Sequence, residues 1–219
     1  MLRQTEPELM LDPAQVEAYA LADFSIPHNR FIELLQQRVA AESFCGKALD
    51  LGCGPGDIAA RFIKAYQYAD LHAVDGSLPM LNFAAHHLPA DVLGRIEFIH
   101  AKLPQVSLPC PDYDLIFSNS LLHHLPEPQA LWQVIKDYSR PGTQVAVMDL
   151  VRPASQEAAS ELVEHYSADE PAILKHDFYH SLLAAFTLEE VEEQLKQAQL
   201  NFNVELVSDR HVFISGVVA

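Results

Sequence analysis

The chain is short of positive charge. Its 219 residues hold 14 lysines and arginines against 30 acids, a formal charge of −16 at pH 7. Such a field repels phosphate backbones and anionic membrane surfaces, so neither a nucleic-acid substrate nor membrane docking is expected. Long apolar runs are missing too, with nothing near the ~18–20 residues of a membrane span. Cysteine is scarce: Cys45, Cys53 and Cys110 are an odd number without CxxC spacing, which implies neither a disulfide framework nor a zinc site. The opening MLRQTEPELM carries acids and no hydrophobic stretch, unlike a secretory signal. A cytoplasmic protein with reduced thiols is the expectation, as a monomer or a homodimer. No repeat, Gly/Ser linker or low-complexity tract divides the chain, and its length suits one domain able to bury about 70% of its unfolded surface.

What is present is an alternation of strand-length apolar runs with segments of helical period. The runs at 48–52, 71–75, 96–100, 113–119 and 143–150 read as strands. Helices are expected at 57–68, 78–87 and 128–138, with Pro141-Gly142 turning into the fifth strand. Strands alternating with helices imply right-handed crossovers and a parallel sheet covered on both faces. The near-continuous apolar character of IEFI, DLIF and VAVMDL suits strands buried on both sides.

The end of the chain breaks that rhythm. After a helix at 188–198, strands at 202–207 and 211–218 are separated by Ser208-Asp209-Arg210 alone, too short for a crossover, so they form an antiparallel hairpin. The expected fold is a Rossmann-like α/β domain with a doubly wound seven-stranded sheet, mostly parallel with an antiparallel C-terminal hairpin. Its parts are an N-terminal helical cover (1–46), a ligand-binding core (47–154), a helical lid insertion (155–186) and a final helix with the hairpin (187–219). The lid, broken at Pro171, follows the fifth strand and so belongs at the carboxyl edge of the sheet, where open α/β folds bind ligands.

The chemistry centres on Ala48-Leu-Asp-Leu-Gly-Cys-Gly-Pro-Gly-Asp57. Glycines at 52, 54 and 56 stand between a strand and a helix, where a missing Cβ admits φ > 0 and a close ligand. A dinucleotide fingerprint needs a third glycine at position 57, which is Asp57 here. A carboxylate there competes with a pyrophosphate for the helix amides, so a ligand without phosphate fits better. The plain alternative is a tight strand-to-helix turn. Asp75 ends the second strand 23 residues after Gly52, the spacing that sets an acid against both ribose hydroxyls of an adenosine. Met80 begins the next helix and is placed to pack on adenine or in the core.

ALDLGCGPG, HAVDGSLPML and YDLIFSNSLLHHL, in that order, resemble class I S-adenosylmethionine-dependent methyltransferases. The resemblance implies S-adenosyl-L-methionine as cofactor, held by Asp50, Gly52, Cys53, Gly54, Asp75, Gly76, Met80, Lys102, Leu103 and Asn119. Many relatives carry an acid after the third strand that bonds the adenine amino group. Lys102 cannot accept that bond, so backbone groups of Lys102 and Leu103 are left to read adenine.

The acceptor is less defined. His123, directly after the fourth strand, is the candidate base, because imidazole titrates close to working pH. Candidate acceptor contacts are His124, Tyr19 and Phe24 in the N-terminal region, and His176, Tyr179 and His180 in the lid, with His28, Arg30, Arg152 and Arg210 as further polar candidates. His176 and His180 share a helix face, yet nothing like HExxH accompanies them, so no metal is expected. Ser118-Asn119-Ser120-Leu121 is not the Asn/Asp-Pro-Pro-Tyr of amine methylation on bases or glutamine, and Pro109-Cys110 lies before the fourth strand, not after it. A small organic acceptor is the leading class. A protein or tRNA methyltransferase, a regulatory module without turnover, and a nicotinamide oxidoreductase are the rivals.

Overall fold

Strand-length runs of apolar residues become the centre of the molecule. The computed structural model describes residues 1–6 and 9–219. Among these, seven strands form one sheet: β1 (Lys47–Leu51), β2 (Asp70–Asp75), β3 (Ile96–His100), β4 (Tyr113–Asn119), β5 (Ser139–Leu150), β6 (Asn203–Leu206) and β7 (His211–Val217). Their order is β3-β2-β1-β4-β5-β7-β6. The first five pair in parallel, and β7 enters antiparallel between β5 and β6. Because β1 lies between β2 and β4, successive crossovers leave it in opposite directions and open a crevice at its carboxyl end, where such sheets bind ligands.

Side chains alternate across the sheet with the strand period of two. Leu115, Phe117, Ala146 and Met148 face one core with Phe31 and Leu35 of α2 (Ser25–Arg38) and Ile58 and Phe62 of α3 (Asp57–Ala65). Ile116, Val145 and Val147 face the other, with Trp132 of α6 (Gln129–Asp137) and Val191 of α9 (Leu188–Ala198). Trp132, Phe31 and Phe62 are fully buried, and truncating any of them to alanine would cost about 3–5 kcal/mol.

Three features depart from the sequence expectation. The N-terminal helical region is two helices, α1 (Pro13–Leu21) and α2, parted at Ala22-Asp23-Phe24. Ala22 is extended, and the Asp23 carboxylate accepts the Ser25 amide at 2.9 Å to start α2. Pro141-Gly142 lies inside β5 as a bulge, with Gly142 at φ +96° and Thr143 Oγ1 accepting the Arg140 amide at 3.0 Å. The third departure is the start of the chain, which crosses the carboxyl edge of the sheet as a strap. The Gln4 amide donates to Leu183 O at 3.0 Å. Arg3 donates to the carbonyls of Ala184, His123 and Leu125 while its guanidinium covers the Phe186 ring at 3.9 Å.

The remaining helices are α4 (Leu78–His87), α5 (Ala90–Leu93), α7 (Gln156–Ser167) and α8 (Ala172–Ala184). Pro171 stands at the N-cap of α8 and divides the insertion where expected. Helices α7 and α8 pack through Ala159, Val163, Leu182 and Leu183. No described helix is long and apolar enough to cross a membrane.

Candidate functional site

The glycine loop between β1 and α3 is held by β2. The amides of Gly52 and Cys53 donate to Val74 O at 2.8 and 3.0 Å. The Gly54 amide donates to Asp75 Oδ2 at 2.8 Å, and the Ser77 amide to Asp75 Oδ1 at 2.7 Å. Gly52, Gly54 and Gly56 all have positive φ, at +77°, +53° and +84°. A Cβ on Gly52 would stand 2.9 Å from Leu121, and one on Gly56 2.9 Å from Leu88, so both are kept small by packing. A Cβ on Gly54 would meet nothing within 4 Å. The open ground beside that backbone is the cavity.

All ten positions named for the cofactor line this one cavity: Asp50, Gly52, Cys53, Gly54, Asp75, Gly76, Met80, Lys102, Leu103 and Asn119. Asp50 is 1% exposed, and its Oδ2 has no hydrogen-bond partner. Burial, reinforced by Asp75, pushes the Asp50 carboxyl well above the usual carboxylate range. Burial also raises Asp75, against the pull of its bonds from Ser77 and Gly54. Burial keeps the Cys53 thiol protonated, and therefore unreactive. An orphaned buried carboxylate is costly unless a donor or cation meets it. The Asn119 side-chain oxygen is likewise buried and unpartnered.

The cavity is roofed by α1, α2 and the strap. Tyr19 and Phe24 line it with ring centroids 5.0 Å apart, and Phe24 continues to His28 at 5.4 Å. Burial, with help from Asp75 and Asp57, raises the Tyr19 hydroxyl to about 12, so it stays a donor. His28 Nδ1 meets Asp57 Oδ2 at 2.6 Å, and Arg61 Nε donates to the same oxygen at 2.7 Å. Burial pushes Asp57 up, but His28 and Arg61 outweigh it and hold the carboxyl at about 2. The acid in the third-glycine slot therefore fastens the roof to α3.

Other expected site residues are not brought to the cavity. His123 is 3% exposed and turns inward from the 3₁₀ turn Leu122–His124, with Nδ1 2.6 Å from Asp149 Oδ1. Enclosed by Asp149 and the strap, it does not line the cavity, whereas His124 does. His176, Tyr179 and His180 do not line it either, because α8 packs behind the strap and α1, with Gln15 Nε2 donating to Asp177 at 2.8 Å. Arg152 is buried on Glu190, Arg210 lies over Tyr166, and Arg30 pairs with Glu33, so none of the three faces the cavity.

Several contributors went unnoticed in the sequence. Leu9 and Met10 line the cavity over Gly76 and Ser77, and Ser77 Oγ donates to Met10 O at 2.5 Å. Only the apolar pair ahead of the Asp12 cap hinted at them. Ser120 lines the cavity in the left-handed region, at φ +56°, strain of a kind that clusters at functional sites.

Comparison with known proteins agrees with this frame. Residues 48–142 match the family model described as a methyltransferase domain. A trans-aconitate 2-methyltransferase of Azoarcus sp. (strain BH72) is 33% identical over 99 residues, 45% of this chain and 37% of that protein. A demethylmenaquinone methyltransferase of Chlamydia pneumoniae is 33% identical over 102 residues, 47% of this chain and 43% of its own. The chain thus spans less than half the length of these relatives. A solved S-adenosylmethionine-dependent methyltransferase from Aquifex aeolicus superposes with a TM-score of 0.70 at 19% identity, covering 96% of this chain and 100% of that one. The fold is the Rossmann-like one of class I S-adenosylmethionine-dependent methyltransferases. Within that fold the stretch matched by the family model, residues 48–142, carries both the glycine loop and Asp75.

Proposed function

We propose that the chain binds S-adenosyl-L-methionine in this cavity and methylates a small organic acceptor. The observation that carries the reading is the meeting of three features. These are the open ground beside Gly54, the unpartnered Asp50 Oδ2 and the Asp75 carboxylate. Asp75 spends one bond per oxygen on backbone amides and keeps lone pairs for two ribose hydroxyls. Asp50 and the Asn119 oxygen offer acceptors to the cofactor's ammonium group. Met80 and Leu103 offer apolar faces to adenine, with the backbone of Lys102 and Leu103 along its edge.

When bound, the cofactor supplies an electrophilic methyl group for in-line displacement. The chain's own task is to align the acceptor and exclude water, contributions that together lower a barrier by several kcal/mol. Tyr19, Phe24 and His124 form the wall on which the acceptor is held, and the strap closes the space above Gly76. The −16 charge disfavours tRNA as acceptor. Asp57, already committed to His28 and Arg61, disfavours a pyrophosphate and hence a nicotinamide cofactor. The setting proposed is the cytoplasm.

A crystal grown with S-adenosylhomocysteine tests the reading, followed by a screen of small acceptors for homocysteine-form product release. Density against Asp75 and Gly54, with turnover on a small acceptor, is the expected result. An empty cavity at saturating ligand would overturn it.

A further inference from the structure

We propose that Glu6, His123 and His124 form a binding site for a divalent transition-metal ion of the zinc class, at the edge of the cavity. No ligand spacing announces this site, because Glu6 is more than a hundred residues from the histidines. One donor atom from each residue lies within 4.8 Å of the others. Glu6 Oε1 is 3.5 Å from His123 Nε2 and 3.0 Å from His124 Nδ1. Donors about 2.0–2.2 Å from a tetrahedral zinc ion stand roughly 3.2–3.6 Å apart. The spacing is close to that of a metal's ligands.

Two independent observations separate this cluster from an ordinary ion pair. His124 Nδ1 is buried and, despite its closeness to Glu6, makes no hydrogen bond. Nδ1 therefore converges on Glu6 Oε1 at 3.0 Å without the alignment of a hydrogen bond. His123 is also oriented from behind. Its Nδ1 is held by Asp149 at 2.6 Å, and Asp149 is itself fixed by the amides of Leu122 and Leu150, both at 2.7 Å. A carboxylate on one imidazole nitrogen sets the tautomer and presents the other nitrogen as a ligand, the arrangement that supports metal-bound histidines. Ser181 Oγ steadies Glu6 from α8 at 3.0 Å.

Two imidazoles and a carboxylate favour Zn²⁺, Co²⁺ or Fe²⁺ over Mg²⁺ and Ca²⁺, which take oxygen ligands. Three protein ligands leave a position open, as in catalytic rather than structural sites. His124 also lines the cavity, so an oxygen of the acceptor is the class of ligand that would complete the coordination. The ion would also fasten the strap to the turn after β4.

The test is titration of metal-free, tag-free full-length protein with Co²⁺, without cofactor. The expected result is one equivalent bound, with the visible absorption of nitrogen- and oxygen-ligated cobalt, displaced by Zn²⁺. His124→Ala and Glu6→Gln should each weaken binding by about 100-fold or more. His124 is the safer variant for folding, with a side chain 28% exposed. The double variant His176→Ala and His180→Ala, on the adjacent ring pair of α8, should bind as wild type does. The proposal is overturned by the lack of stoichiometric binding. It is equally overturned by wild-type affinity in His124→Ala, or by loss of binding in the α8 variant. Calorimetry with S-adenosylhomocysteine on the same metal-free protein is read separately, so failure here leaves the methyltransferase reading standing.

Discussion

The Asp75 carboxylate accepts the Gly54 amide at 2.8 Å, so the acid that ends β2 also holds the glycine loop after β1. Removing it takes away more than a ligand contact. Asp75→Ala should weaken cofactor binding by about 2–3 kcal/mol through the loss of two bonds to a charged acceptor. It also strands the Gly54 and Ser77 amides, a cost of about 2 kcal/mol that lowers the apo Tm by about 4–8 °C. Calorimetry and thermal denaturation read the two effects separately.

The glycines of the loop should separate affinity from stability. Gly54→Ala places a methyl group in the cavity, so cofactor affinity falls steeply while folding loses only the ~1 kcal/mol of left-handed backbone strain. Gly56→Ala drives a methyl group against Leu88 and Ala84, so stability falls before affinity does. Equal losses of affinity in both variants would show that the cavity beside Gly54 is not where the ligand lies.

Acceptor handling should follow the roof and not α8. Phe24→Ala is expected to raise the acceptor KM by about tenfold, equivalent to ~1.4 kcal/mol. Tyr179→Phe and His180→Ala, which lie off the cavity, should leave KM and kcat within about twofold, a difference of ~0.4 kcal/mol. Steady-state kinetics on the three variants checks this.

Stability should also carry a signature from His211 at the start of β7. Burial first, and then the neighbouring Arg210, lower its pKa to about 4. Above its unfolded value of about 6.5 it is neutral in both states and costs nothing. As pH falls from about 6.5 to 4, the unfolded chain takes up a proton that the native one refuses, and up to about 3 kcal/mol of stability is lost. Denaturant unfolding of wild type and His211→Gln across that window should show a steeper pH slope in the wild type.

The sheet core was legible because its strands are short, nearly all-apolar and punctuated by glycine or proline. Ile96–His100 and Tyr113–Asn119 fall where their composition places them. The glycine-loop wall of the cavity was legible for a related reason: Gly52, Gly54 and Asp75 sit at strand ends, where local spacing fixes their positions. The acceptor side was not. His123 and His124 are adjacent in sequence, and only tertiary packing against Asp149 and Glu6 decides which one faces the cavity. The strap has no periodicity to announce it, since Arg3 is held by carbonyls 120 and more residues away. His176 and His180 share a helix face as their spacing required, but that face does not line the cavity beside Gly54.

The central claim is that the cavity beside Gly54 holds S-adenosyl-L-methionine, and isothermal titration calorimetry tests it most directly. Titration with S-adenosylmethionine and S-adenosylhomocysteine should give one site with a micromolar Kd, about −8 kcal/mol, and titration with NAD should give no heat of binding. Tight NAD binding together with silence towards both sulfur ligands would contradict the account.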